Sequence, residues 1–176
     1  MQFVDYEDSP YKKEVRKLYY SAFPFNERPP FPLFRYMTKK KTSALYALQE
    51  GSLFVGLMAI SQVRDVVCVM FLAIDERLRG QGYGSKVLAE VKKKYASDRI
   101  CLAMEPIEEE AQNYEERVRR KHFYNSNGFY ECGFRSNEAG TDFEILSDGE
   151  PVTKEEYIEV NGAFFGKALY NILIRI

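Results

Sequence analysis

The run VVCVMFLAI (Val66–Ile74), continuing as DERL (Asp75–Leu78), RGQGYG (Arg79–Gly84) and SKVLAEVKKKY (Ser85–Tyr95), decides how this chain folds. Nine successive apolar residues rich in valine read as a strand buried on both faces. The polar turn Asp75–Leu78 ends it. Beyond the glycines, Val87, Leu88, Val91 and Tyr95 recur at helical spacing, and Lys92, Lys93 and Lys94 read as the solvated side of the same helix. Strand, glycine-rich loop and helix thus follow without a break. Glycines at 80, 82 and 84 let the backbone approach a ligand closely, and the free amides of a helix N-terminus favour an anion. A tight strand-to-helix turn calls for glycine on steric grounds as well, so the spacing alone leaves turn and anion site equally open. The P-loop, which needs a Lys-Ser/Thr pair after its last glycine, and the GxGxxG dinucleotide fingerprint are both excluded.

Working outward, Ala44–Gln49 and Leu53–Gln62 are two further strands, divided by Glu50-Gly51 and closed before Val66 by Arg64-Asp65. A short strand opens the chain. Ser9 and Pro10 then look like the N-cap and first residue of a helix carrying Tyr11, Val15, Leu18, Tyr19 and Ala22 at helical spacing. Prolines and phenylalanines between Phe23 and Pro32 predict an ordered loop, with helix resuming over Leu33–Lys40. Downstream, Ile100–Met104 is a strand, and the acidic run Glu108–Glu110 suits the first turn of a helix reaching Asn125. Tyr130–Arg135 and Phe143–Leu146 pair as a hairpin through Asn137-Glu138-Ala139-Gly140. Thr153 and Glu156 form a capping box for a last helix with Tyr157, Val160, Phe164 and Ala168 on one side. The elements predict an α/β fold in a single domain over residues 1–176.

The bulk figures narrow the function classes. A chain of 176 residues with 45% apolar content can bury a substantial core. Its 25 basic and 26 acidic residues, a formal charge of -1, offer no net field toward nucleic acid or an anionic membrane. Acidic residues in MQFVDYEDSPYKK stand where an export signal needs an apolar stretch, and Val66–Ile74 is too short to span a bilayer. A cytoplasmic location is the expectation. Cys68, Cys101 and Cys132 lack metal-ligand spacing and read as buried free thiols, and His122 has no partner ligand nearby; no metal is expected.

Arg79-Gly80-Gln81-Gly82-Tyr83-Gly84, in its strand–turn–loop–helix setting, resembles the acetyl-CoA signature RGxGxG of the GNAT N-acetyltransferase superfamily. Phe123-Tyr124-Asn125-Ser126-Asn127-Gly128-Phe129 resembles a second block of that family, FYxxxGF, in the right order along the chain. The resemblance covers about residues 3–146, with a helical extension over about 153–176. It implies the α/β GNAT fold, a mixed, mostly antiparallel central sheet with a splayed parallel pair and helices on both faces, and acetyl-CoA as co-substrate. It further implies that the backbone of Arg79, Gly80, Gln81, Gly82, Tyr83, Gly84 and Ser85 holds the pyrophosphate, while Leu72, Ala73 and Ile74 pair with the pantetheine arm as an added strand.

The resemblance also implies a chemical step: an amine attacks the thioester carbonyl, and Tyr124, matching a family tyrosine, gives a proton to the departing thiolate. Where some members place a basic glutamate on the fourth strand, this chain has Cys68, Val69, Met70 and Phe71. Glu105 and Glu27 are the remaining candidates to meet the acceptor amine, beside a water-mediated base. Arg117 stands where many members carry an asparagine that contacts pantetheine; Arg117 and Arg120 read as a solvated basic face or as phosphate ligands. The acceptor is a small-molecule or peptide amine of unspecified identity, and a homodimer is left open. The alternatives are a non-catalytic acetyl-CoA/CoA-binding module, suggested by the missing strand glutamate, and a peptide-binding domain using an aromatic surface over Phe23–Phe34.

Overall fold

The computed structural model describes residues 1–25, 28–138, 140–166, 170 and 174–175; the candidate Glu27 and the helical position Ala168 lie outside them. Strands β1 (Gln2–Asp5), β2 (Ser43–Glu50), β3 (Leu53–Val63), β4 (Val66–Ile74), β5 (Arg99–Met104), β6 (Phe129–Glu138), β7 (Thr141–Asp148) and the two-residue β8 (Ile174–Arg175) form one sheet in the order β1-β2-β3-β4-β5-β7-β6-β8. All neighbours are antiparallel except β4 and β5. The expected α/β architecture, with a mixed, mostly antiparallel sheet and one parallel pair, is therefore present.

Helices α1 (Lys12–Ala22), α2 (Phe31–Thr38) and α5 (Lys154–Phe165) cover one face, while α3 (Tyr83–Lys94) and α4 (Tyr114–Ser126) cover the other. On the first face Tyr19 stacks on Phe34 with ring centroids 4.4 Å apart, and Phe71 meets Phe34 edge-on at 5.0 Å. Each such pair adds about 0.5–1.5 kcal/mol beyond the area it buries. Phe31 and Phe34 are core residues and Phe23 packs against them, whereas Phe25 is 85% exposed, so three of the four phenylalanines of the predicted aromatic surface over Phe23–Phe34 belong to or pack on the interior. On the second face Val87, Leu88 and Val91 are wholly buried against β4 and β5 residues.

Four local expectations change. The first helix begins at Lys12, because the Ser9 hydroxyl accepts from the Tyr11 amide at 3.0 Å and holds a turn where a cap was expected. The second begins at Phe31, two residues early, since Pro32 in its first turn loses no helical hydrogen bond. Glu108–Glu110 is not helical: Ala111 and Tyr114 amides close turns onto Glu108 and Ala111 carbonyls, and α4 starts only at Tyr114. Lys92 is no free solvated lysine, for its ammonium donates to the Asn127 carbonyl at 2.5 Å and to Asp148 Oδ1 at 2.7 Å, pinning α3 to the end of α4. The capping box of α5 forms as expected, with both Thr153–Glu156 bonds present.

Candidate active site

Strands β4 and β5 pair only from Val66↔Arg99 to Val69↔Leu102. β4 remains bonded to β3 through Ile74, so beyond Val69 its other edge, Met70–Ile74, has no strand beside it among the described residues. A bulge lies at the same point. The β3 register passes from Ala59↔Phe71 to Ile60↔Val69, which leaves Met70 as an extra residue on β4. Its effect appears in the side chains: Val67 and Val69 pack toward α3, whereas Phe71 and Ala73 pack toward α1 and α2. The alternation inverts at Met70. Because every residue of Val66–Ile74 is apolar or small, no sequence pattern signals that inversion.

A cavity of about 790 Å³ fills the opening between the strands. At one end lie Leu72, Ala73 and Ile74 with Arg79, Gly80, Gly82, Gly84 and Ser85, and Tyr124 lines it beyond them. The structure therefore gathers most of the residues singled out in the sequence around one space. Gly80 and Gly82 have φ of +74° and +79°, in the left-handed region where glycine is at home. Gly82 is the N-cap of α3, so the amides of its first turn point out of the helix end. Gly84 serves a different purpose: a Cβ placed there would lie 2.9 Å from the ring of Phe123. The two sequence blocks thus touch at Gly84 and Phe123. Gln81 and Tyr83 do not line the cavity by their side chains; Gln81 donates to the Arg77 carbonyl at 2.8 Å, and Tyr83 packs beside Lys86.

Tyr124 is packed between Phe123 and Phe129, with centroids at 5.2 and 6.2 Å, and faces the cavity. Burial pushes its phenol above the ordinary value, partly offset by the nearby Arg120. Among the described residues the hydroxyl has no hydrogen-bond partner, which leaves it free to donate to a guest. Glu105 lies at the same wall but is tied down. It accepts from Arg117 at 2.5 Å, from Asn113 at 3.1 Å and from Arg120 at 3.5 Å. Arg117, also bonded to the Pro106 carbonyl at 2.8 Å, is an internal ion-pair partner, neither a solvated residue nor free for a phosphate.

Phe23, Pro24, Phe143, Phe165 and Glu138 also line the cavity. Only Phe23 and Pro24 belong to the aromatic stretch that the sequence singled out. Glu138 was read as part of a hairpin turn, where a carboxylate normally points to water. No three His, Cys, Asp or Glu side chains among the described residues are arranged to hold a metal ion, and no described helix is long and apolar enough to cross a membrane.

Known proteins share this fold. A model of the GNAT acetyltransferase domain matches residues 41–131, just over half of the chain. YjbC of Bacillus subtilis (strain 168), named as an acetyltransferase, is 31% identical over 124 residues, which cover 68% of this chain and 62% of that protein, so the chain spans under two thirds of its relative. Among solved structures, a protein of Bacteroides thetaiotaomicron named as a GNAT-family acetyltransferase superposes with a TM-score of 0.74 at 20% identity, covering 97% of this chain and 96% of its own. An aminoglycoside 6'-N-acetyltransferase complexed with coenzyme A superposes with a TM-score of 0.64 at 14% identity, covering 86% of this chain and all of its own. With a split parallel pair, a glycine loop capping α3 and a tyrosine at the opening, and with these matches, the chain belongs to the GNAT acetyltransferase family.

Proposed function

We propose that the protein transfers the acetyl group of acetyl-CoA to a primary amine by direct attack of the amine on the thioester. The observation that carries this reading is the cavity that runs along the unpaired edge Met70–Ile74, with the glycine loop at one end and Tyr124 on its wall. The amides of Arg79–Ser85 hold the pyrophosphate at the positive end of α3. Backbone groups of Leu72–Ile74 bond the two amides of pantetheine as a neighbouring strand does. That course carries the thioester toward the bulge at Met70, whose unpaired backbone can stabilise the developing oxyanion. As the C–N bond forms and the C–S bond breaks, Tyr124 gives its proton to sulfur and later recovers one from the acylated nitrogen through solvent. Glu105, occupied by Arg117, Arg120 and Asn113, holds α4 and hence Tyr124 in place.

Two measurements test this. Acetyl-CoA at about 100 times its dissociation constant should stabilise the fold by about 2.7 kcal/mol. Free CoA should then appear only when an amine is added. No thermal shift with millimolar acetyl-CoA overturns the reading; a shift without amine-dependent release leaves a non-catalytic CoA-binding module.

A further inference from the structure

Three carboxylates line the cavity, and two are neutralised. Glu105 pairs with Arg117 and Arg120, and Glu116 pairs with Arg120 at 2.7 Å. Among the described side chains no lysine or arginine pairs with Glu138; on the neighbouring strand β8, Ile174 stands opposite it and the backbone of Arg175 opposite Asn137. Among the described residues the hydrogen bonds to Glu138 come from Tyr157 at 2.5 Å and from Ser136 at 3.2 Å, and both fall on Oε1 rather than Oε2. A half-buried carboxylate on the wall of a cavity lined by aromatic rings favours a cationic guest. The remaining walls at that end, Phe23, Phe143 and Phe165, are aromatic and suit an alkylammonium, while the cationic lining residues Arg79 and Arg120 belong to the side of the glycine loop and α4.

Topology explains how this residue reaches the site. β7 lies between β5 and β6, with Ile145 opposite Ala103 and Phe143 opposite Ser136, so the end of β6 stands beside the open end of the parallel pair. Tyr157 packs with Cys68, Cys101 and Ile145 on the face covered by α5, away from α3 and α4. Glu138 therefore meets the cavity from the face opposite the glycine loop's helix, where an acceptor can enter without displacing CoA.

We propose that Glu138 binds the acceptor's ammonium group and is the base that deprotonates it, and that the acceptor is an aliphatic primary amine carrying no carboxylate. The inference rests on the acetyl-transfer reading. Glu138 takes one proton from the ammonium and later loses it to solvent. The neutral amine attacks the thioester carbon, C–S cleaves, and sulfur leaves as the thiol with the Tyr124 proton, which the nitrogen's remaining excess proton replaces. The described groups facing Glu138 are Ser136 on its own strand, Tyr157 and Tyr170 from the C-terminal segment, and Cys68 on β4. Burial pushes the Glu138 carboxyl above the usual carboxylate range, against the lowering effect of the Tyr157 and Ser136 bonds. The working form is the ionised one, so the rate should fall as pH drops through that raised value.

The test uses n-butylamine, 1,4-diaminobutane and 4-aminobutyrate as acceptors for the wild type, Glu138→Gln and Tyr157→Phe. The expected result is CoA release with the first two amines and little with 4-aminobutyrate. Glu138→Gln should lower kcat/KM for the amine by about 10²-fold or more and abolish the acid limb of the pH profile, with acetyl-CoA affinity unchanged. Gln still accepts from Tyr157 and removes a buried charge, so its melting temperature at neutral pH should be unchanged or higher. Tyr157→Phe, which keeps the carboxylate, should retain the acid limb. On the wild type alone, 1,4-diaminobutane should raise the melting temperature of the CoA complex above the acid limb and not below it. Unchanged kinetics in Glu138→Gln, the same loss of the limb in Tyr157→Phe, or no release with any of the amines from a protein that binds acetyl-CoA overturns the proposal. Failure to bind acetyl-CoA overturns the acetyl-transfer reading itself.

Discussion

Gly82 combines two requirements: a left-handed φ of +79° and a backbone open to the ligand, with nothing within 4 Å of where a Cβ would stand. Gly82→Val should therefore keep the fold, at a cost of about 1–3 kcal/mol for the strained backbone, while calorimetry shows a much larger loss of acetyl-CoA affinity. Wild-type affinity in the variant would move the anion site elsewhere. Tyr124 separates packing from chemistry in a similar way. Tyr124→Phe keeps the ring between Phe123 and Phe129 and removes only the hydroxyl, so the melting temperature should hold while turnover falls by about 10² to 10⁴. Because burial raises this phenol, the acid form persists at neutral pH, and the alkaline limb of the wild-type rate should lie above the ordinary phenol range and vanish in the variant. Single-turnover rates equal to wild type would reduce Tyr124 to a packing residue.

At the scale of elements, the opening between β4 and β5 depends on how β3 holds β4. Gly56 is opposite Ile74, and a Cβ there would come within 2.2 Å of the Ala73 carbonyl oxygen, a backbone atom that cannot swing aside. Gly56→Ala should therefore push the end of β4 outward, destabilising the fold by about 1–3 kcal/mol and weakening acetyl-CoA binding beyond that, since Leu72–Ile74 is the edge that receives pantetheine. Thermal melts with and without acetyl-CoA read both effects. A variant with wild-type stability and affinity would mean that β4 is held by other contacts. The two glycine-bearing blocks are also coupled here, because Gly84 lets α3 sit against Phe123 of α4, the helix that carries Tyr124.

Across the whole molecule, Arg99 joins distant parts of the chain. At the start of β5 it donates to Glu156 on α5 at 2.9 and 2.5 Å and to Asp65 at 3.0 Å. The Arg99 guanidinium, helped by the Thr153 amide, holds the Glu156 carboxyl down at about 2, against an ordinary 4.5. A depressed carboxylate stabilises the fold above its unfolded value and loses that contribution as pH falls toward its folded one. Stability should therefore decline between about 4.5 and about 2 through this group, and Glu156→Gln should be less stable at neutral pH with a shallower loss across that window. Denaturant melts over that range provide the check, and parallel curves for both proteins would remove Glu156 from the acid response.

Local features were legible because local chemistry sets them: the strand Val66–Ile74, the glycines whose φ permits the loop, the periodicity of α3 and the capping box at Thr153 all express short-range rules. The resemblance of two short blocks added the family. What only the tertiary structure decided are encounters between residues far apart in sequence. Arg117 pairs with Glu105 twelve residues away, Lys92 with Asp148 across 56, and Tyr157 with Glu138 across 19. The bulge at Met70 stayed invisible because a uniformly apolar run carries no record of which face each side chain takes. Glu138 looked like a solvated turn residue until β7, inserted between β5 and β6, brought the end of β6 to the opening of the parallel pair. Strand order is set by the packing of the whole sheet, and no local pattern encodes it.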